Sequence, residues 1–354
     1  MSRMKQILKY FIVVLLYYSG LAFVFRFLKR LSRSNQKPLI LMYHQVFDDP
    51  KAELKYSQAG LYVSTPVFDK QMSYLAKHYK PISLADLATS IRSNQTLDPK
   101  NIVITFDDGW RDNYQHAYPI LKEYQLPAII FLTANFIGTN DIFWFMRAAT
   151  LMTINKLDRQ QLRALFKKVC LSSAESDSAA IETMASDTDW FIEKLKKLDL
   201  IVINRVLDEL SKSNKKSDNT GDNSRWTMNW DEVKEMSQHG ISFGSHGCTH
   251  RVMTTLSSDE NMRELRDSRE VIEAKLGLRV DIFSYPNGDY NIEIEKLVEQ
   301  GGYLCAVTTK GIGKPGNKSE LFALRRIGVH EGISVGPRGN YSRAMFDFHL
   351  LRNS

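Results

Sequence analysis

"VITFDDGWRD", residues 103–112, decides the fold. Val103, Ile104 and Phe106 read as a buried strand. Asp107 and Asp108 follow at its end, and Gly109 comes next. Two carboxylates set against a core are costly unless they are paired or hold a metal. Neighbours on a regular strand point to opposite faces. The two can share one site only where the strand loses regularity, and Gly109 permits that.

The surrounding chain repeats this unit. "PLILMYHQV" (38–46) is an apolar run ending at His44, and "PAIIFLTANFIG" (127–138) is another. "ISFGSHGCTH" (241–250), "VDIFSYPNGD" (280–289), "YLCAVTT" (303–309) and "LFALRRIGVHEG" (321–332) read as further strands, most of them running into loops. Helical patterns lie between them: 68–79, 83–91 with Ser83 as N-cap, 113–125, 229–240, 260–277 and 291–302. Strands alternating with helices predict an α/β fold with a parallel sheet. Residues 141–224 break the rhythm. They hold two amphipathic stretches, 157–170 and 189–210, and a polar run, 211–224, expected to be mobile. They read as a helical insertion placed to form part of a lid or a substrate wall.

The chain has 354 residues and a net charge of +7. Residues 1–38 contain eight Lys/Arg and no Asp or Glu, so +7 less those eight leaves −1 for the rest. A near-neutral globular part offers no basic face for nucleic acid. Cys170, Cys248 and Cys305 are scattered and odd in number, which is no disulfide framework. Tyr10–Phe25 has sixteen residues without a charge. As a helix it would reach about 24 Å at 1.5 Å per residue, and Lys9 and Arg26 can snorkel toward the edges of a ~30 Å bilayer core. No small-residue cleavage site follows it. The expectation is a retained transmembrane anchor over 1–36, with a catalytic domain over 37–354 at the bacterial cell membrane, its side left open.

"SHGCTH" places His246 and His250 four apart, so one helical turn would put both on one face. Two histidines with a carboxylate make a three-ligand site that leaves positions for water and substrate. Both "TFDDG" and "SHGCTH" fall at strand C-terminal ends, the rim that carries active sites in α/β barrels. An acidic pair and a histidine pair meeting there form a metal site with one carboxylate to spare as general base.

"TFDDG", "SHGCTH", "FSYPNG" and "RIGVH", in this order, resemble the polysaccharide deacetylase family (carbohydrate esterase family 4, the NodB homology domain) over roughly 38–335. The resemblance implies a distorted (β/α)7-type barrel and metal-dependent removal of N-acetyl or N-formyl groups from an N-acetylated glycan. Carried over by residue, it implies Asp107 as catalytic base and Asp108, His246 and His250 as ligands of one divalent ion. Zinc suits that set, and cobalt, nickel or manganese fit it too. Asn287 and Tyr285 lie in the loop whose backbone helps hold the oxyanion, and His330 matches the histidine that protonates the leaving amine. His44 ends a strand on the same rim, within reach of substrate. Two departures stand out. Ser284 occupies the place of an Arg that in many relatives pairs with the catalytic Asp, with Arg325 or Arg326 as candidate replacements. The family's Asp-and-Trp motif has no counterpart in "TTKGIGKPGNKSE". The alternative is a catalytically silent glycan-binding scaffold on the same fold.

Overall fold

Eleven strands carry the described structure: β1 (Leu39–Tyr43), β2 (Gln45–Phe47), β3 (Tyr62–Ser64), β4 (Lys80–Pro81), β5 (Asn101–Phe106), β6 (Ala128–Leu132), β7 (Ile241–Ser245), β8 (Ile282–Ser284), β9 (Cys305–Thr308), β10 (Leu324–Arg325) and β11 (Ile327–Gly328). The computed structural model describes residues 3–21, 38–48, 60–169, 182, 184, 186–212, 225–310 and 320–353. Cys170, residues 213–224 of the expected mobile run over 211–224, and residues 22–36 of the expected anchor lie outside those residues.

Eight strands pair in the order β10-β9-β8-β7-β6-β5-β1-β11, all parallel. β4 adds to β5, and β2 pairs with β3 apart from the main sheet. β10 and β11 sit at opposite ends of that order yet are separated in sequence by Arg326 alone. One extended run therefore touches both edges, and the sheet curls into a nearly closed barrel. Counted as one stave, β10 and β11 make seven. Closure removes the open edges that would otherwise invite foreign strands. The expected final strand over 321–332 is broken at Arg326 for this reason.

Parallel strands need crossovers, and helices supply them. They are α1 (Arg3–Tyr18), α2 (Thr65–His78), α3 (Leu84–Arg92), α4 (Tyr118–Glu123), α5 (Trp144–Asn155), α6 (Arg159–Val169), α7 (Asp187–Leu195), α8 (Leu200–Lys212), α9 (Trp230–Ser237), α10 (Ser258–Leu276), α11 (Ile292–Gln300), α12 (Glu331–Ser334) and α13 (Arg343–Asn353). Local chemistry sets their starts. Ser83 accepts from the Asp86 N–H, and Asn229/Glu232 and Ser257/Glu260 form full capping boxes. A π-helical turn, Asn113–Ala117, precedes α4. Leu41, Ile104, Phe106, Ile130, Phe131 and Phe283 are buried on the two faces of the strands at 0 % exposure. Each such side chain contributes about 1.5–3 kcal/mol by leaving water.

α5–α8 pack on each other through their own apolar cluster, centred on Leu162, Trp190, Phe191, Val206 and Leu207.

The N-terminus differs from expectation. Among the described residues no helix is long and apolar enough to cross a membrane. α1 ends at Tyr18, and its Tyr10, Val13, Val14 and Tyr17 pack against Ala344, Met345 and Phe348 on α13. One apolar face is thus taken by the chain's own C-terminal helix. Leu8, Phe11, Ile12 and Leu15, at i, i+3, i+4 and i+7, form a second face that is 49–70 % exposed.

Candidate active site at the barrel mouth

The end of β5 turns sharply. Asp107 N–H still donates to the Tyr43 carbonyl at 3.1 Å, extending the β5–β1 ladder by one bond. Asp108 then adopts φ 75° and Gly109 φ 77°. A Cβ on Gly109 would come within 2.8 Å of Leu132 and Ile137 side chains, so glycine is required by space as well as by φ. This double positive-φ corner brings both carboxylates to one mouth, as the quoted stretch demanded.

Asp107 is clamped. Arg326 donates from Nη1 to Oδ1 at 2.7 Å and from Nη2 to Oδ2 at 2.6 Å, with further bonds to Thr105 Oγ1 at 3.1 Å and Ser284 Oγ at 2.9 Å. Both partners are buried. Burial drives the Asp107 carboxyl upward, but the guanidinium and, less strongly, His246 and His44 more than offset it and hold it far below the usual range. The cation missing at Ser284 is therefore supplied from the seam between β10 and β11. Ser284 keeps a supporting part, donating to Asp107 Oδ1 at 3.3 Å.

Asp108 faces the histidines. Trp110 Nε1 donates to Oδ2 at 2.9 Å and fixes the plane of the carboxylate. Oδ1 is buried without a hydrogen-bond partner, 3.5 Å from His246 Nε2 and 3.2 Å from His250 Nε2. His246 Nδ1 lies 2.7 Å from the Ser284 carbonyl, which can only accept, so that nitrogen carries the proton and Nε2 turns its lone pair on Asp108. Burial, reinforced by His250 and opposed by Asp107, pushes His246 down to about 4, leaving it neutral near pH 7. Asp108 is also held low, the histidines around it outweighing its burial. A lone pair facing an orphaned carboxylate oxygen is repulsive and costs about 1–3 kcal/mol per unsatisfied atom. A cation between them removes that cost. The three ligand atoms lie within 4.8 Å of one another, so the donor set fits one divalent ion.

The histidine pair converges by a different route from the expected helical turn. Residues 246–250 are a loop after β7, bent by Gly247 at φ 76° and His250 at φ 56°. Glu264 on α10 splints this loop. It accepts from the Cys248 N–H at 2.6 Å, the Thr249 N–H at 3.1 Å and Thr249 Oγ1 at 2.5 Å. A Cβ on Gly247 would meet that carboxylate at 2.8 Å. Cys248 is a buried free thiol outside the ligand set, pushed up to about 12 by burial and Glu264.

These groups open onto a cavity of about 220 Å³. His44 lines it, with Nε2 4.0 Å from Asp107 Oδ2. Asn287 lines it in a left-handed conformation at φ 59°. The helical insertion supplies Phe145, Ile192 and Lys196 to the same wall. Two expected residues lie elsewhere. The Tyr285 ring is fully buried, stacked on Tyr290 with its hydroxyl donating to the Phe322 carbonyl at 2.8 Å, because the loop turns it into the core. His330 caps α12, is absent from the cavity lining and sits in the field of His349 on α13. Burial lowers its pKa. Glu264, Trp110 and Lys196 were not singled out as site residues from the sequence. Arg326 was one of two candidates there, distinguished only by the strand break that places it.

The comparisons agree with this architecture. The sequence model of the polysaccharide deacetylase family matches residues 94–185 and 202–306. The YxkH protein of Bacillus subtilis is 24% identical over 307 residues, covering 86% of this chain and 76% of that protein. The poly-beta-1,6-N-acetyl-D-glucosamine N-deacetylase of Staphylococcus aureus is 22% identical over 258 residues, covering 69% of this chain and 83% of that enzyme. Among solved structures, the Streptococcus pyogenes deacetylase PplD aligns with a TM-score of 0.54 at 20% identity, over 86% of this chain and 96% of that one. IcaB from Ammonifex degensii aligns with a TM-score of 0.53 at 15% identity, over 83% and 92%. At those identities the structures speak for the fold alone. The family match spans more than half of the sequence, and the chain belongs to the polysaccharide deacetylase family.

Proposed function

We propose that this chain is a metal-dependent hydrolase that removes the acyl group from N-acylated amino sugars of a cell-envelope glycan. The observation that carries the reading is the orphaned Asp108 Oδ1 facing His246 and His250, set beside an Asp107 that Arg326 keeps ionised. Asp108, His246 and His250 would hold the divalent ion, which would supply Lewis acidity to the amide carbonyl and the attacking water. Asp107 takes the proton of that water. His44, 4.0 Å from Asp107, gives a proton to the leaving nitrogen. This role moves from His330 to His44 on the ground that His44 lines the cavity. The backbone N–H of Asn287 is offered to the developing oxyanion, as preorganised donors are in acyl transfer generally.

The silent-scaffold alternative drew its support from Ser284. Arg326 supplies the missing cation, so that ground is gone.

The reading extends to place. Leu8, Phe11, Ile12 and Leu15 expose one apolar face of α1, and residues 1–38 carry eight Lys/Arg, on either side of the uncharged stretch, and no acid. Such a helix suits the plane of an anionic membrane surface.

The test is acetate release from N-acetylglucosamine oligosaccharides, the β-1,6-linked series named for the Staphylococcus relative included. Release should require about one bound metal per chain and vanish in Asp108→Asn and His246→Ala. Metal-loaded, folded protein that releases no acyl group from any N-acylated sugar would sink the reading.

A further inference from the structure

The cavity has one feature that amide hydrolysis does not require. Lys196, just past α7, is its only Lys or Arg among the described lining residues, and it comes from the helical insertion rather than the barrel. Its side chain is 21 % exposed. Nζ donates to Asn287 Oδ1 at 2.6 Å and to Glu193 Oε1 at 2.5 Å. An ammonium has three donors, so one N–H remains for the cavity.

A purely structural tie to Asn287 needs no charge, since a neutral amide donor would make the same bond. Glu193 pairs with the ammonium from outside the cavity lining, so the remaining N–H is a charged donor available to the cavity. Asp107 is already neutralised by Arg326, and a divalent ion on Asp108 would make that end of the cavity positive. An acidic group lying between that ion and the Glu193-paired ammonium would be attracted by both.

Resting on the hydrolase reading above, we propose that Lys196 is a specificity-determining residue that recognises an acidic substituent, a carboxylate or a phosphate ester, on the amino sugar whose amide is cleaved or on the sugar next to it. The insertion thereby sets the substrate class: Phe145 and Ile192 offer apolar surface to the ring and acyl group, and Lys196 offers a charge-assisted hydrogen bond to the acid. The barrel supplies the chemistry and the insertion supplies the choice.

Binding tests this separately from turnover. The full zinc-loaded chain is titrated calorimetrically with N-acetylglucosamine, N-acetylglucosamine 6-phosphate and N-acetylmuramic acid, in the wild type, Lys196→Gln and Lys196→Arg. Circular dichroism confirms folding of each. The wild type should bind one acidic sugar roughly tenfold more tightly than the neutral one, the size expected of one charge-assisted bond. Which acid it prefers distinguishes carboxylate from phosphate. Lys196→Gln should bring the ratio near one, and Lys196→Arg should keep it. A wild type that does not discriminate would overturn the proposal. So would a Lys196→Gln variant that discriminates as the wild type does, because the acid would then be read by the metal alone. Acetate is assayed in the same mixtures. A Lys196-dependent preference without acetate release would leave acid recognition at Lys196 standing and count against the hydrolase reading on which its link to cleavage rests.

Discussion

Replacing Arg326 by Met should cost more than any other single change at the mouth of the barrel. The guanidinium is buried, makes two bonds to Asp107 and one each to Thr105 and Ser284, and lies over the Phe131 ring with its central carbon 5.4 Å from the centroid. Removing one partner of a buried pair strands the other, which costs about 3–5 kcal/mol. Unfolding entropy of ~2.1 cal/mol/K per residue over 354 residues is about 0.7 kcal/mol/K, so the melting temperature should fall by roughly 4–7 °C. Asp107→Asn in the same chain should restore part of the loss, because the two deficits arise from one contact.

The pH dependence gives the sharper check. In the wild type the folded-state pKa of Asp107 lies far below its unfolded value of about 3.9. Its contribution to stability is present above that value and is lost as pH falls through the folded pKa. In Arg326→Met burial acts without the guanidinium, and the folded pKa rises above the unfolded one. The contribution is then present only below about pH 3.9 and is lost as pH rises through the raised value. The variant's deficit should therefore be largest at neutral pH and shrink toward pH 4, followed by thermal melts across that range. Acetate release at pH 7 should fall with it and recover in part at higher pH, where Asp107 is again ionised. A variant within about 1 kcal/mol of wild type, with a deficit flat in pH, would refute the idea that Arg326 sets the charge of Asp107.

Three other outcomes are expected. Glu264→Ala frees the backbone of Cys248 and Thr249, so zinc affinity by competition with a chromophoric chelator should drop roughly 10–100-fold while the far-ultraviolet spectrum stays native; unchanged affinity would show the loop holds its shape unaided. His44→Ala should lower kcat by roughly 10²–10⁴ and His330→Ala by only a few-fold, since the first lines the cavity and the second does not; the reverse order would return the proton-donor role to His330. Lys5→Glu with Lys9→Glu should weaken cosedimentation with phosphatidylglycerol vesicles, and Phe11→Ser should weaken it at high salt as well, because both lysines and Phe11 are exposed on α1; equal binding by all variants would remove α1 from the membrane reading.

The strands were legible because each buried parallel strand is a short apolar run ending in a turn signal. The chemistry was legible because carboxylates and histidines are costly at such ends. Ser83 could be placed as a cap from one dipeptide spacing, and the structure shows its bond. What escaped depends on distances that no local pattern encodes. Glu264 lies 14 residues past His250 in an ordinary helical stretch, and only the packing of α10 against the loop gives it two backbone N–H groups to hold. The His246/His250 spacing suggested a helical turn, yet two positive-φ residues achieve the same convergence in a loop. The apolar N-terminus read as a membrane span because its hydrophobicity is nearly all-round. Composition could not say that α13 would claim one of its faces.

Arg326 shows why a departure from a family pattern is weak evidence when read in one dimension. Ser284, the last position of β8, and Arg326, between β10 and β11, are 42 residues apart in sequence, but both point into one barrel mouth. Asp107 requires a cation within hydrogen-bond reach and does not specify which stave delivers it. A seam residue is well suited to the task. Its N–H is held from one side by the Thr308 carbonyl on β9, and three residues on the Val329 N–H donates to the Met42 carbonyl on β1. Closing the barrel and charging the site are therefore one event. Arg326→Met should therefore loosen the β11–β1 edge as well as the site, and hydrogen exchange at Val329 N–H should rise with it. Protection there as in the wild type would separate closure from charge, leaving Arg326 an electrostatic partner of Asp107 and nothing more.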